Sequence, residues 1–229
     1  AMETSPFFFS KEPIMLLCPL CHASSSFYAR DKRRAFHQCR QCRLVFADPA
    51  THVDREEEKR LYETHENDPL DPRYRAFLNQ LWQPLQKVCR DSGYRTALDF
   101  GSGPGPTLHL MMEESGLNAR HYDPIYSPDE ILLSHSYDVV TCTEVIEHFF
   151  YPQREFAQLR RLVKPGGTLA TMTKPYVSAE RFPNWHYKND LTHVSFFNDE
   201  TYRYIAEQFG FRVERITNEV TFFRCIKSC

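Results

Sequence analysis

The chain has 229 residues, of which 41% are hydrophobic and 25% charged, enough apolar material for a packed core and a soft expectation of one or two domains. Its net charge of −2 argues against nucleic-acid binding by bulk charge, although a local basic patch would survive it. No apolar run approaches the roughly 18–20 residues of a membrane span.

In chain order, Pro6-Phe7-Phe8-Phe9 is apolar, but Lys11 and Glu12 interrupt it and no basic segment precedes it. A secretion signal is therefore not expected, and Ala1 ahead of Met2 reads as a cloning remnant. Eight cysteines occur, half of them in two tight pairs. A reducing, cytoplasmic setting with a metal site fits this better than disulfides. Within residues 14–49 the pairs are Cys18-Pro-Leu-Cys21 and Cys39-Arg-Gln-Cys42, with 17 residues between them, inside the zinc-ribbon window. Zinc takes four soft ligands in a tetrahedron, and a site closed by four cysteines is structural. A segment this short cannot build its own core, so the metal would supply its folding energy. His22 and His37 lie nearby, but four cysteines complete the set. Cys89, Cys142, Cys225 and Cys229 fit no ligand spacing and read as ordinary thiols. Arg30, Lys32, Arg33, Arg34, Arg40 and Arg43 lie in or beside the ribbon, either as a nucleic-acid contact or as the polar surface of a structural knob.

Residues 50–94 read as a helical linker. Glu56, Glu57 and Glu58 run into Lys59 and Arg60, the pattern of a solvated helix face. Asn67-Asp68-Pro69 and Asp71-Pro72 break the chain. Phe77, Leu78, Leu81, Trp82, Leu85 and Val88 then recur at helical spacing, as a core stripe. From 95 to 229, strands are expected at 96–100, 137–142, 168–173, 211–217 and 221–226. Helices are expected at 107–114, 155–163 and 200–209, the last closed by Gly210. Strand–helix alternation implies a largely parallel sheet covered on both faces.

Leu98-Asp99-Phe100-Gly101-Ser102-Gly103-Pro104-Gly105 follows a strand and opens a helix. Closely spaced glycines there bring backbone amides up to a ligand. Pro106 stands where a dinucleotide fingerprint needs glycine, which weakens that reading. The run instead resembles the first motif of class I S-adenosylmethionine methyltransferases. Tyr137 to His148 resembles that family's fourth strand and following turn, and Leu162 to Leu169 its fifth-strand entry. The resemblance covers about residues 95 to 226. It implies an α/β, Rossmann-like sheet of seven strands, here with an N-terminal zinc ribbon, as in a bacterial group of similar arrangement. It also implies S-adenosylmethionine as cofactor, held by Asp99, Gly101, Ser102, Gly103, Gly105, Tyr122, Asp123, Thr143 and Glu144. Asp123, 24 residues beyond Asp99, would hold the ribose hydroxyls, since a carboxylate accepts from two vicinal hydroxyls. Asp129 is the candidate adenine acid, although the third strand is short and flanked by prolines. Tyr62, His65, Asn67 and Tyr74 would form a lid.

Glu144, Glu147 and His148 stand at i, i+3 and i+4, one face if the segment is helical. Downstream runs an aromatic, histidine-bearing loop with Trp185, His186, Tyr187, His193, Phe196 and Phe197, long enough for an active-site wall. Two carboxylates and two imidazoles can hold a divalent cation. The pattern is similar to that of RNA 3′-terminal 2′-O-methyltransferases and ubiquinone-pathway catechol O-methyltransferases, where Glu144, Glu147, His148 and His193 would bind magnesium or manganese. A metal-free base, a substrate-binding role and a packing role stay open for the same residues. His148, His186 and His193 are base candidates because imidazole titrates near neutral pH. Lys174, after a strand end, faces either substrate or solvent.

The leading expectation is an S-adenosylmethionine-dependent methyltransferase acting on oxygen of a small organic substrate. An RNA-modifying enzyme using the basic ribbon is the second reading, and a non-catalytic cofactor-binding scaffold the third. The sequence fixes neither the substrate nor the oligomeric state.

Overall fold

The computed structural model describes residues 16–63 and 67–226. The apolar start, His65 and Cys229 lie outside them. The chain builds two sheets. Residues 25–30 (β1), 35–39 (β2) and 45–47 (β3) form an antiparallel meander. A helix follows at 55–62 (α1), capped by Asp54, whose carboxylate accepts from Glu57 N at 2.9 Å. The next helix (α2, 72–92) starts at Asp71 and stops at Gly93 with φ +68°, the left-handed residue that closes helices.

The second sheet takes residues 96–100 (β4), 118–122 (β5), 137–143 (β6), 163–172 (β7), 211–215 (β9) and 220–225 (β10), in spatial order β5-β4-β6-β7-β10-β9. Neighbours from β5 to β7 are parallel, and β10 runs antiparallel to both β7 and β9. Helices at 108–114 (α3), 152–162 (α4) and 199–209 (α5) complete it. The chain leaves β4 toward β5 on one side and returns to place β6 on the other. The crevice between them, beyond the strand ends, is where open α/β sheets bind ligands.

Alternation along the strands supplies both faces of the core. Ala97 and Val139 pack with Leu81, Trp82 and Leu85 of α2 and Met112 of α3. Leu98 and Val140 face Phe156 of α4 and Ile205 of α5. Fully burying such side chains stabilises by about 1.5–3 kcal/mol each. Gly210 closes α5 at φ +69°, as expected.

Six strands stand in this sheet among the described residues, where seven were expected. Pro124 and Pro128 flank the missing one, and Glu130–Ser134 turns as a short 3-10 helix. Asp129 is exposed and caps that turn, accepting from Ile131 N at 3.1 Å. It does not line the cavity. Proline cannot donate to a strand ladder, which disfavours a strand there.

The N-terminal meander is not a free-standing knob. A two-residue strand, Ser195–Phe196 (β8), pairs with β3 as its fourth strand. Cys18, Leu20, Cys39 and Cys42 share one apolar cluster with Phe156 and Ile205. No helix is long and apolar enough to cross a membrane among the described residues.

Candidate active site

A cavity of about 720 Å³ opens beyond the ends of β4, β5 and β6. Its lining takes in Asp99, Gly101, Ser102, Gly103, Tyr122, Asp123, Thr143 and Glu144, eight of the nine predicted cofactor residues. The ninth, Gly105, packs beneath Asn67: a Cβ there would lie 1.7 Å from the Asn67 carbonyl oxygen. Gly101 adopts φ +78°, and a Cβ there would come within 2.5 Å of Val145. The loop thus excludes side chains at both points, and the Gly101 and Ser102 amides donate to Tyr122 O at 2.8 and 3.2 Å.

Two acids organise the loop. Asp123, 7% exposed, accepts from Gly103 N at 2.9 Å with one oxygen and from Ile125 N and Tyr126 N at 2.8 and 2.9 Å with the other. Asp99 is buried and accepts from Thr141 Oγ1 at 2.8 Å. Burial pushes its carboxyl up to about 7. A raised acid holds its proton in the folded state after the unfolded chain has released it, so stability is greatest below pH ~4 and falls as pH rises to about 7. Asp99→Asn is therefore expected to flatten that decline and to stabilise the cofactor-free protein at pH 8 by at most about 4 kcal/mol. Urea unfolding at pH 5 and pH 8 reads this, and equal slopes for both proteins would contradict it.

The far end of the cavity carries carboxylates and imidazoles. The segment after β6 is not an α-helix: Glu144 has φ +53° and residues Ile146–His148 form a 3-10 turn. A left-handed glutamate is uncommon and marks a position held by its surroundings. Ligand atoms of Glu147, His148 and His193 all lie within 4.8 Å of one another. Glu144 stands beside that group instead of within it. The Tyr187 hydroxyl bridges the two glutamates, donating at 3.1 Å to Glu144 and more closely to Glu147. One hydroxyl proton serves one acceptor at a time, and the Thr173 hydroxyl lies 3.0 Å from the same oxygen. Burial first, and for Glu147 also the facing Glu144, pushes the carboxyls up to about 7 and about 8.

Both imidazoles are oriented by backbone. His148 Nδ1 meets Thr192 O at 3.1 Å and His193 Nδ1 meets Tyr187 O at 2.8 Å. A carbonyl only accepts, so each Nδ1 carries the hydrogen and each Nε2 keeps its lone pair in the neutral ring.

Other predicted residues divide. Tyr62, Asn67 and Tyr74 line the cavity. His186 is exposed and lies outside it. Trp185, Phe196 and Phe197 pack into the protein, Phe196 against Phe36 and Phe197 against Tyr202. The aromatic wall is Phe149 and Phe150. Lys174 lies 5.5 Å from the centre of the Tyr187 ring and does not reach the cavity. Glu58 turns from the charged face of α1 into the lining, and burial raises its carboxyl. Arg34, offered as an RNA contact, is 2% exposed. Tyr187 stood in the predicted loop, but its bridge to the glutamates did not, and Glu58 and Asp190 were missed because only tertiary packing brings them here.

In the meander, Cys18 Sγ and Cys42 Sγ are 3.5 Å apart, and Cys21 Sγ and Cys39 Sγ 3.2 Å. All four sulfurs lie within 4.8 Å of one another. His22 and Arg43, each directly after the second cysteine of a pair, share φ near +60° (59° and 63°). Backbone amides of Leu20, Gln41 and Cys42 donate to the sulfurs at 3.3–3.4 Å.

A family described as "Methyltransferase domain" matches residues 41–216. Among curated proteins, the ubiquinone biosynthesis O-methyltransferase of Citrobacter koseri is 34% identical over 82 residues, 36% of this chain and 34% of that protein. Its namesake in Vibrio cholerae is 31% identical over 99 residues, 41% of this chain and 40% of that one. The chain thus matches well under half the length of these relatives. Among solved structures, a Burkholderia thailandensis 1,6-didemethyltoxoflavin-N1-methyltransferase with bound S-adenosylhomocysteine aligns at TM-score 0.53 and 13% identity, covering 88% of this chain and all of that one. The DszA carbon methyltransferase aligns at TM-score 0.51 and 15% identity, over 76% of this chain and 58% of that one. With the family match spanning most of the sequence, the chain belongs to the methyltransferase-domain family and has the class I S-adenosylmethionine-dependent methyltransferase fold.

Proposed function

We propose that the protein transfers a methyl group from S-adenosylmethionine to a hydroxyl oxygen of a small organic acceptor. The observation that carries this is the cavity joining the glycine loop and Asp123 to Glu144, His148 and His193, with Glu147 buried behind the two imidazoles' ligand atoms. The buried Ser102 Oγ, Thr143 Oγ1 and Glu144 Oε1 lack hydrogen-bond partners and suit a polar ligand. Six carboxylates and one arginine, Arg55, line the cavity. Such a lining favours the sulfonium cofactor and a neutral or cationic acceptor, and disfavours a phosphate-bearing one.

Methyl transfer is an in-line displacement at the sulfonium carbon, and the protein's task is alignment and removal of the acceptor proton. Asp123 has lone pairs left for the ribose hydroxyls. Phe149 and Phe150 wall the acceptor side. Residues 50–94 act as the lid, through α1, Asn67 and Tyr74. Glu147, His148 and His193 suit a magnesium or manganese ion, since Glu147 Oε2 is buried without a partner and both Nδ1 atoms are committed to carbonyls. Bound there, the ion would hold two neighbouring hydroxyls and lower the pKa of one. Glu144 is not needed in that set.

The four cysteines of residues 14–49 fit a structural zinc. A tetrahedron with Zn–S of about 2.3 Å needs sulfurs roughly 3.8 Å apart, close to the spacing present. A four-thiolate site of this kind goes with a reducing, cytoplasmic setting.

Labelled S-adenosylmethionine and simple catechols, with and without magnesium, test the reading. Methyl product is expected on oxygen, and His148→Ala is expected to lower the rate on the order of a hundredfold while leaving cofactor affinity within about twofold. Cofactor binding with no transfer to any hydroxyl probe would reject oxygen as the acceptor.

A further inference from the structure

The hairpin between β1 and β2 ends in a tight turn, with Asp31 N donating to Arg34 O at 2.9 Å. The Asp31 carboxylate accepts from Arg33 N and Arg34 N, both at 2.7 Å. This fixes the start of the Arg34 side chain, which runs inward. Its guanidinium donates to four backbone carbonyls of one loop: Lys188, Asp190 at 2.9 Å, Leu191 at 3.2 Å and His193 at 2.9 Å. The Arg34 guanidinium carbon lies 5.1 Å from the centre of the Phe36 ring. From the other side, the buried Lys188 Nζ returns to Asp31 at 3.3 Å.

A buried guanidinium is costly unless nearly every N–H is satisfied. Here four carbonyls converge on it within six residues, and no regular ladder does that work. Few side chains besides arginine present enough donors in a fixed fork to collect them. Lysine, a compact point charge with three donors, lacks that fork.

The peptides gathered by Arg34 adjoin the two that orient the active-site imidazoles. Tyr187 O, which takes the His193 Nδ1 hydrogen, precedes Lys188. Thr192 O, which takes the His148 Nδ1 hydrogen, precedes His193. The Arg34 clamp therefore reaches each imidazole through one neighbouring peptide.

We infer that Arg34 is a positioning residue: from the cysteine-bearing sheet it sets the loop 187–193, and through it the tautomer and aim of His148 and His193. The N-terminal sheet is thereby part of the acceptor side of the active site, although Arg34 touches neither cofactor nor acceptor. Assigning these imidazoles to methyl transfer rests on the reading above, but the clamp itself is tested without turnover.

Long-range 1H–15N spectra of histidine-labelled full-length protein report which ring nitrogen carries the hydrogen, with His148→Gln and His193→Gln giving the assignments. Wild type is expected to show both rings as Nδ1–H. Arg34→Lys is expected to leave S-adenosylmethionine affinity within twofold and to turn at least one ring into a mixture of tautomers. Arg33→Ala, which removes only a contact to Asn189 O, is expected to change neither. Should Arg34→Lys fail to fold, Asp31→Asn, which loosens the same turn from outside, is expected to give the tautomer mixture. Pure Nδ1–H rings in every folded variant of Arg34 or Asp31 would overturn the inference. Failure of the methyltransferase reading would appear separately, as no cofactor binding by wild type.

Discussion

Asp123→Ala is expected to weaken S-adenosylmethionine binding on the order of a hundredfold. The carboxylate has two tasks. It accepts three backbone N–H bonds that shape the loop after β5 and tie it to Gly103. On the proposed reading it would also offer remaining lone pairs to two ribose hydroxyls, and hydrogen bonds to a charged group contribute about 1.5–3 kcal/mol each. Loss of two such bonds accounts for the hundredfold, and slackening of Gly103 adds to it. Asp123→Asn keeps one acceptor oxygen and is expected to fall between the two proteins. Calorimetry on all three measures the series. Equal affinities for wild type and Asp123→Ala would remove Asp123 from the cofactor site.

Cys42→Ser is expected to lower the melting temperature by about 10 °C or more and to abolish stoichiometric zinc. The reason lies in how little core residues 16–47 build by themselves, before they pack on Phe156 and Ile205. Three short strands cannot bury enough surface alone, and metal binding free energy is then folding free energy. The loss would not stay local. Val45 pairs with Phe196, and Ala47 N donates to Val194 O at 2.9 Å, so the segment that carries His193 loosens with the sheet. For a chain of this size a loss of several kcal/mol moves the transition by about 2–4 °C each. Scanning fluorimetry beside an elemental count reads both effects. A chain that holds no zinc and melts like its Cys42→Ser variant would contradict the four-cysteine assignment.

What could be read from the sequence followed from how local each signal is. Strand β4 and its glycine loop came from adjacent residues, and the structure returns residues 96–100 as predicted. Gly210 announced the end of α5 because one left-handed residue suffices. The cysteine pairs also stood out by spacing. Glu144, Glu147 and His148 would share a face only on a helix; the segment is a 3-10 turn, and spacing alone does not show that Glu144 is left-handed. The Tyr187 bridge and the Arg34 clamp span 40 and 154–159 residues. Nothing near those residues in sequence marks them, and only the assembled sheets bring the partners together. His186, Phe196 and Phe197 looked like site residues by type, but burial and exposure assign them elsewhere.

The most direct test of the account is a calorimetric titration of the zinc-loaded protein with S-adenosylmethionine. One site per chain with micromolar affinity, competed by S-adenosylhomocysteine, is the predicted result. No binding at millimolar cofactor by folded, zinc-loaded protein would contradict it and leave the cavity without its cofactor.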